Sequence, residues 1–304
     1  MPGNRKALAQ ILLLGVVLVW GATFVLVKTA LADASPLLFN CLRMTLATLA
    51  LAIVNRKKLT GITRAQLRAG ALAGVFLAAG YELQTLGLAR TSAAKSAFIT
   101  GLVVVFVPGL MLFPRFRPPG TSRPGWNAAA GAMSAFAGLL LLTTPSGTEW
   151  RHLFASIGLG DLLTLGCAAA FAAHLLSLAR ASTILTAGTL ATLQVGTAAI
   201  LMLFLVPLEP MHFHATMRLA LTLAVTSLLA TAAAFTIQSF AQQVLRPANT
   251  AVLLTLEPVF AWLTSLLLLG VGLSHRGLLG AALILGGIAL TELTSDANTV
   301  ELPA

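Results

Sequence analysis

Ten apolar runs, each close to 20 residues long, constrain the fold of this chain more than any other feature of its sequence. A helix needs about 20 mostly apolar residues to cross the hydrocarbon core of a bilayer. The sequence lacks the roughly 10-residue alternating segments that are typical of barrel strands. The runs therefore predict an all-α membrane protein with ten transmembrane helices. They lie near residues 7–30, 36–54, 69–88, 94–113, 126–144, 160–180, 187–206, 218–240, 248–270 and 277–294.

The composition supports a lipid environment. Of the 304 residues, 58% are hydrophobic and 9% are charged, whereas soluble domains carry about 25% charged residues. The net charge of +10 would suggest nucleic-acid binding in a soluble protein. Here the Lys and Arg residues cluster in short loops between the runs, as membrane topology predicts. We therefore expect a lipid bilayer as the partner of this surface, and no nucleic acid.

The distribution of positive charge predicts the orientation in the membrane. With the N-terminus in the cytoplasm, twelve Lys and Arg residues fall in inside loops and five in outside loops. Because cytoplasmic loops carry an excess of Lys and Arg, this favours a chain with both termini inside. We expect a multi-pass protein of a cell membrane, specifically the inner membrane of a bacterium.

Two similar segments indicate an internal repeat. Residues 91–104 read TSAAKSAFITGLVV and residues 246–259 read RPANTAVLLTLEPV. Each places small residues and then a threonine, Thr100 or Thr255, at the head of the fourth helix of its half. If each half has five helices, the second half enters the membrane from the opposite side. Such inverted repeats are typical of secondary transporters with a binding site near the midplane.

The expected division of the chain follows from this repeat. We predict one five-helix repeat over residues 7–144, a second over residues 159–294, and a short cytoplasmic tail over residues 295–304. The small residues of Gly70–Gly74 and Gly131–Gly138 are expected to form helix-packing surfaces.

Several short motifs occur at particular places in these runs. They are Trp20-Gly21-Ala-Thr-Phe24 with Lys28, Pro36 with Arg43, Thr91-Ser-Ala-Ala94 through Pro108, Gly160-Asp161, and Pro247-Ala-Asn-Thr250 through Glu257-Pro258. Taken together and in this order, the motifs and the ten runs resemble the EamA type of the drug/metabolite transporter superfamily, with two EamA repeats over residues 7–294. The resemblance implies ten helices, a substrate cavity between the halves, and export of small polar metabolites or drugs by a secondary mechanism.

Two carboxylates inside apolar runs are the first candidates for function, because an ionisable group deep in a membrane costs about 2.5–3.5 kcal/mol to insert. Glu82 is expected to line the cavity and bind a proton or a cationic group; the alternative is an interfacial position near the end of its helix. Glu257 precedes Pro258, which kinks the helix and leaves carbonyls free beside the carboxylate. The alternative for Glu257 is a solvated carboxylate with no role in transport.

Three basic side chains lie in the runs, and two of them have alternative interpretations. Arg43 is too deep to reach the interface and is expected to pair with Glu82 or with an anionic substrate. Lys28 extends toward the outside end, where Asp33 is within reach. The unperturbed pKa of a histidine, about 6.5, would suit His174 for proton coupling, but a membrane histidine also serves to hydrogen-bond a neighbouring helix.

Uncharged polar side chains complete the predicted site. Trp20 and Tyr81 offer aromatic faces with one polar tip, and Gln84 and Gln238 lie in membrane segments. The rival interpretation for Tyr81 is an aromatic belt at the membrane interface.

The remaining candidates point to structural roles, and no cofactor is expected. Asp161 is expected to cap the sixth helix. His212 and His214 share a loop with Glu209, but a metal site would need more ligands. The cysteines, Cys41 and Cys167, are expected to be small buried hydrophobic residues.

These features predict a secondary transporter rather than an enzyme. No GxxxxGK[ST] segment is present, so ATP hydrolysis is not expected; the driving force would be a proton gradient or exchange. A polytopic membrane enzyme would cluster its His and acidic residues at one reacting centre, and here they are dispersed. A non-transporting membrane scaffold would tolerate replacement of Glu82, Arg43 and Glu257.

Overall fold

The computed structural model describes residues 2–91, 93–143, 157–260, 263 and 275–293. These residues form helices and connecting loops, with one isolated antiparallel bridge between Ala34 and Phe213 and no β-strand. The helices are α1 (Pro2–Ala30), α2 (Pro36–Asn55), α3 (Arg64–Arg90), α4 (Ala93–Thr100), α5 (Val103–Met111), α6 (Trp126–Thr143), α7 (Leu159–Ala181), α8 (Ala187–Leu205), α9 (Met217–Ser227), α10 (Ala234–Ala241), α11 (Pro247–Leu254) and α12 (His275–Leu293).

Local sequence signals explain where several helices begin. At α3 the Thr63 hydroxyl accepts a hydrogen bond from the Gln66 N–H at 3.2 Å, and the Gln66 side chain accepts one from the Thr63 N–H at 3.1 Å. This is a capping box, which satisfies two backbone donors at the helix start. Pro36 and Pro247 occupy the first positions of α2 and α11, where the missing N–H costs nothing.

The fourth predicted run, residues 94–113, is not one continuous helix. Helix α4 ends at Thr100 and α5 begins at Val103. The chain turns at Gly101, where an added Cβ would lie 2.2 Å from the side chain of Leu139 on α6. Hydropathy locates this apolar segment but does not reveal the interruption at Gly101, because the close approach of α6 is not visible in the sequence.

The ninth predicted run is interrupted at its proline. Helix α11 ends at Leu254, and the chain is helical again from Glu257 to Phe260. Pro258 has no N–H to donate to the carbonyl of Leu254 four residues earlier, so a regular helix cannot pass through this point. The rest of the run to residue 270, apart from residue 263, lies outside the described residues.

A π-helical segment separates α9 from α10. It spans Leu228–Ala233 within an otherwise continuous helix. The hydroxyl of Thr231 donates to the carbonyl of Thr226, five residues earlier, at 2.8 Å. Single π-helical turns inside α-helices are frequent at functional sites. The apolar pattern of residues 218–240 gave no sign of it.

Within the described residues, six helical stretches are long and apolar enough to cross a bilayer, and three shorter apolar helices accompany them. Large apolar side chains on their outer faces are exposed, as Val54 (80%) and Phe204 (73%) illustrate. Such faces are stable in lipid and not in water. The six stretches are Asn4–Ala30, Pro36–Lys58, Arg64–Arg90, Leu159–Ala181, Ala187–Leu208 and Met217–Ala241.

Small residues bring helices of the two halves into close contact. Helix α3 packs against α7 and α8, and α6 packs against α12. A Cβ on Gly74 would lie 2.5 Å from the carbonyl oxygen of Gln194, and one on Gly138 would lie 2.4 Å from that of Gly280. The predicted packing surfaces are thus present at these two positions, where a side chain would force the helices apart.

At one end of the bundle, Asp33 joins the loop before α2 to the start of α9. Its Oδ2 atom accepts hydrogen bonds from Arg218 at 2.8 Å and from Thr216 at 2.9 Å. The hydrogen bond from Arg218 is the main reason why the pKa of Asp33 lies below its ordinary value. The sequence had suggested that Asp33 is within reach of Lys28, but Lys28 bonds other groups. Its Nζ donates to the carbonyls of Leu88 (2.5 Å) and Thr91 (3.1 Å).

Candidate substrate cavity

A cavity of about 100 Å³ lies between the two halves of the chain, and both contribute lining residues. Residues of α1, α2, α3, α4, α5, α7, α10 and α11 line it. Most of the wall is apolar, with a limited set of polar groups, as is usual for small-molecule sites. The members with a polar or ionisable side chain are Trp20, Thr23, Arg43, Tyr81, Gln84, Thr85, Thr100, His174, Gln238, Thr255 and Glu257.

The cavity brings together most of the residues singled out from the sequence. Of the eight candidates, Glu82 does not line it. The other seven are Trp20, Arg43, Tyr81, Gln84, His174, Gln238 and Glu257.

Arg43 reaches from α2 into the wall of the cavity and is 5% exposed. Its Nε donates to the hydroxyl of Thr231 at 2.7 Å, and its Nη2 donates to the hydroxyl of Tyr81 and to the carbonyl of Ala230, both at 3.1 Å. The guanidinium carbon also lies 4.6 Å from the centre of the Tyr81 ring. The described partners of Arg43 are thus neutral oxygen atoms, and the expected pairing with Glu82 is not present.

Aromatic rings form a connected wall of the cavity. The Tyr81 ring meets Phe171 edge-on at a centroid distance of 5.5 Å and Phe235 at 6.0 Å. Trp20 contacts Phe235 at 5.7 Å, and its Nε1 donates to the carbonyl of Ala230 at 2.8 Å. The polar tips of Trp20 and Tyr81 are therefore satisfied inside the protein, which does not fit the interfacial belt considered for Tyr81.

His174 bonds a neighbouring helix through one ring nitrogen. Its Nε2 lies 2.7 Å from Oε1 of Gln194 on α8, and the Gln194 Nε2 donates to the hydroxyl of Ser239 at 3.1 Å. Ser239 in turn donates to the carbonyl of Phe235 at 2.6 Å. Because Oε1 of Gln194 can only accept, Nε2 of His174 carries the proton. In the neutral form of the ring, Nδ1 keeps its lone pair.

Glu82 is buried beside the cavity rather than in its wall. It is 5% exposed, and its Oε2 accepts a hydrogen bond from Asn40 at 3.0 Å. Asn40 also accepts one from Thr85, which lines the cavity, at 3.2 Å. The Oε1 atom of Glu82 is buried without a hydrogen-bond partner among the described residues. This oxygen atom can therefore accept a hydrogen bond that no described residue donates.

Three more polar side chains of the wall have unfilled hydrogen-bonding capacity. The carboxylate of Glu257 and the amide of Gln84 make no hydrogen bond within the described part of the chain. The Oε1 atom of Gln238 is buried and has no partner there either. These groups are available to a bound solute, to water or to a proton.

Comparison with known proteins identifies the family. The model of the EamA-like transporter family matches residues 7–144 and 158–293. The chain belongs to the EamA-like transporter family. Together with the apolar helices, this membership makes it an integral, multi-pass membrane protein of a transporter family.

One relative and one solved structure resemble this EamA-like protein over most of its length. An uncharacterized transporter of Archaeoglobus fulgidus is 30% identical over 291 residues, which are 96% of this chain and 88% of the relative. A crystal structure of a protein with 18% sequence identity covers 97% of this chain and 99% of its own, with a TM-score of 0.74. At that identity the second likeness concerns the fold alone.

Other sequence predictions have structural outcomes away from the cavity. Asp161 receives hydrogen bonds from the Gly158 N–H and the Thr91 hydroxyl, both at 2.9 Å, so it caps α7 as expected. Glu209 accepts from the Leu37 N–H at 2.5 Å. The described residues contain no group of three or more potential metal ligands. Cys41 and Cys167 are buried free thiols.

Sequence reasoning did not find four residues that hold the site of this EamA-like protein in place. Thr231 and Ala230 bond Arg43, Asn40 bonds Glu82, and Gln194 bonds His174. Asn40 and Gln194 are fully buried. A buried amide in an apolar run needs a polar partner, so this was the signal that could have singled them out.

Proposed function

We propose that this EamA-like protein is a secondary transporter that exports small metabolites or drugs, driven by a proton gradient or by exchange. The observation that carries the proposal is the cavity, because both halves of the chain contribute to its wall. A site between two halves becomes open to one side and then to the other when the halves rock against each other.

The proposed architecture has ten membrane spans arranged as two inverted five-helix repeats, residues 7–144 and 159–294, with a cytoplasmic tail over residues 295–304. Both termini lie in the cytoplasm of a bacterial cell, whose inner membrane holds the protein. Support comes from the excess of Lys and Arg in the loops assigned to the inside and from the two matches to the family model.

Labelling from either side of the membrane tests this topology. The natural cysteines are buried, so a cysteine introduced at Arg90 or at Arg246 would dominate the reaction with an impermeant maleimide. Inverted repeats predict that the two positions react from opposite sides. Reaction of both from the same side would contradict the two-repeat arrangement.

The cavity residues have distinct proposed roles. Trp20, Tyr81, Gln84 and Gln238 contact the solute, with an apolar aromatic wall and a few placed polar groups. Arg43 and His174 orient it or take part in coupling. Glu257, whose carboxylate makes no hydrogen bond with described residues, is the candidate for a proton or cation.

Glu82 is proposed to act from behind the cavity wall. It contacts Asn40, and Asn40 contacts Thr85 in the wall. A change of protonation at Glu82 would therefore alter the hydrogen bonds that position Thr85. This role is a coupling role rather than contact with the solute.

Flux in proteoliposomes tests the function directly. We expect uptake or efflux of at least one compound from a metabolite panel, with a rate that responds to a pH gradient if protons drive it or to trans solute if exchange does. Glu82→Gln and Glu257→Gln should lose the response to pH, while Glu209→Gln, which changes a loop carboxylate, should keep it. No flux of any compound under either condition would overturn the proposal.

A further inference from the structure

Arg43 is a buried cation to which the described part of the chain supplies no anion. Its hydrogen bonds go to neutral oxygen atoms of Thr231, Tyr81 and Ala230. The nearest acidic residue along α3, Glu82, bonds Asn40 instead. A charge removed from water is costly unless an opposite charge compensates it. The cavity wall therefore carries a positive charge that a ligand can neutralise.

One nitrogen of the guanidinium remains open to the cavity. Nε and Nη2 are engaged by the three oxygen atoms, whereas Nη1 donates to no oxygen atom of the described residues. Nη1 is also absent from the buried polar atoms that lack a partner. Since Arg43 lines the cavity, its Nη1 has two N–H groups that face space in which a ligand oxygen can sit.

The rest of the wall restricts the charge of that ligand. Glu257 is the second formally charged side chain of the described lining, and its carboxylate repels additional negative charge. The rings of Trp20, Tyr81, Phe171 and Phe235 surround the same space. One cation, one opposing carboxylate and four aromatic rings fit a ligand with an apolar body and a single negative group better than a phosphate dianion.

We propose that Nη1 of Arg43 is the head-group subsite for a carboxylate, so that the solutes of this cavity are small monocarboxylates with an apolar or aromatic body. The claim that such monocarboxylates are transported rests on the proposed function. The claim that Nη1 of Arg43 binds a carboxylate does not. Thr231 and Tyr81 are positioning residues, because they hold Nε and Nη2 and thereby direct Nη1 toward the cavity.

Binding of a matched pair of probes tests the subsite. Benzoate and benzamide have nearly the same shape and differ in charge. With the purified wild-type protein in nanodiscs, calorimetric titration should give benzoate an affinity at least about tenfold higher than benzamide, the range expected for hydrogen bonds to charged groups. Propionate and propionamide repeat the comparison with an aliphatic body.

Variants assign the preference to Arg43. Arg43→Gln should bind benzoate and benzamide equally, and Arg43→Lys should recover part of the preference because it keeps the charge. Arg56→Gln, which removes an exposed arginine in the turn after α2, should behave as the wild type. Tyr81→Phe keeps the charge but frees Nη2, and should reduce the preference severalfold without abolishing it.

Several outcomes would overturn the subsite. These are equal affinity of the wild type for benzoate and benzamide, no binding of either at millimolar concentration, or a full preference for benzoate in Arg43→Gln. If Arg43→Gln does not fold, the wild-type comparison and Tyr81→Phe still decide, because neither removes the buried cation.

Flux measurements separate this inference from the proposed function. Transport restricted to neutral or cationic solutes would leave the transporter proposal intact and overturn the carboxylate subsite. Binding of benzoate that depends on Arg43, with no flux of any compound, would support the subsite and overturn the transporter proposal.

Discussion

Trp20 and Arg43 donate hydrogen bonds to the same carbonyl oxygen, that of Ala230. The distances are 2.8 Å from Nε1 of Trp20 and 3.1 Å from Nη2 of Arg43. The donors lie on α1 and α2, and Ala230 lies in the π-helical segment between α9 and α10. One backbone oxygen of the second half thus joins two helices of the first half beside the cavity. Its orientation depends on the wider turn of a π-helix.

Replacing Trp20 by phenylalanine tests the strength of this junction. Trp20→Phe keeps an aromatic ring next to Phe235 but removes the N–H donor, so we expect a loss of about 0.5–1.5 kcal/mol in the free energy of unfolding. Unfolding by SDS in mixed micelles measures the difference. The matched control is Trp126→Phe, because Trp126 is 75% exposed. Equal stability of the two variants would show that the indole bond contributes nothing.

The cavity residues were largely predictable because of the cost of placing polar groups in lipid. Arg43, His174 and Glu257 stand out in apolar runs, and a group that costs free energy to insert usually faces the interior of the bundle. The hydropathy pattern alone indicated in which helix each residue lies and how deep it lies in the membrane. It did not identify their partners, since those come from other helices.

Glu82 shows why the same reasoning failed at one position. It is adjacent to Tyr81, and neighbouring residues on a helix point about 100° apart. Helix α3 is buried on several faces, because it packs against α7, α8 and α2. Both residues are therefore inside the protein, but Tyr81 lines the cavity and Glu82 faces Asn40. A single sequence gives no means to choose between two buried faces.

A double-mutant cycle between His174 and Gln194 measures the link between α7 and α8. We compare His174→Phe, Gln194→Leu and the double variant, and expect a coupling free energy of about 0.6–1.7 kcal/mol, as found for hydrogen bonds between membrane helices. SDS unfolding supplies the stabilities. Gln66→Leu is the control partner, because Gln66 bonds the carbonyl of Ile184 at 2.8 Å; its effect should add to that of His174→Phe. Additive effects for Gln194 would contradict the hydrogen bond.

The Asp33–Arg218 pair predicts a defined dependence of stability on pH. The hydrogen bond from Arg218 holds the folded-state pKa of Asp33 below its ordinary value of 3.8. The carboxylate form is thus favoured in the folded protein, and the stabilisation is complete above pH 3.8 and is lost as the pH falls through the lower, folded-state pKa. We expect Asp33→Asn to unfold at a lower temperature than the wild type by a constant margin from pH 5 to pH 8.

Measurements at lower pH separate this pair from other effects. The margin between Asp33→Asn and the wild type should shrink below about pH 4, when the carboxylate of the wild type takes up a proton. Arg218→Gln removes the cause of the lowered pKa, so Asp33→Asn should have a smaller effect in that background. A margin that is unchanged down to pH 2 would mean that the charge of Asp33 is not what stabilises the loop.

Gly74 provides the sharpest test of the packing between α3 and α8. A Cβ at this position would meet the carbonyl oxygen of Gln194 and the Cβ of Thr197, both at 2.5 Å, whereas one at Gly15 would meet nothing within 4 Å. Gly74→Ala should lower the free energy of unfolding by about 1–3 kcal/mol through overpacking. Gly15→Ala should raise it by about 0.5–1 kcal/mol, because alanine loses less backbone entropy than glycine in a helix. Since Gln194 also holds His174, Gly74→Ala should in addition reduce the coupling between those two side chains. If Gly74→Ala and Gly15→Ala raised the free energy of unfolding equally, α3 and α8 would have to lie farther apart at Gly74 than the distances given above.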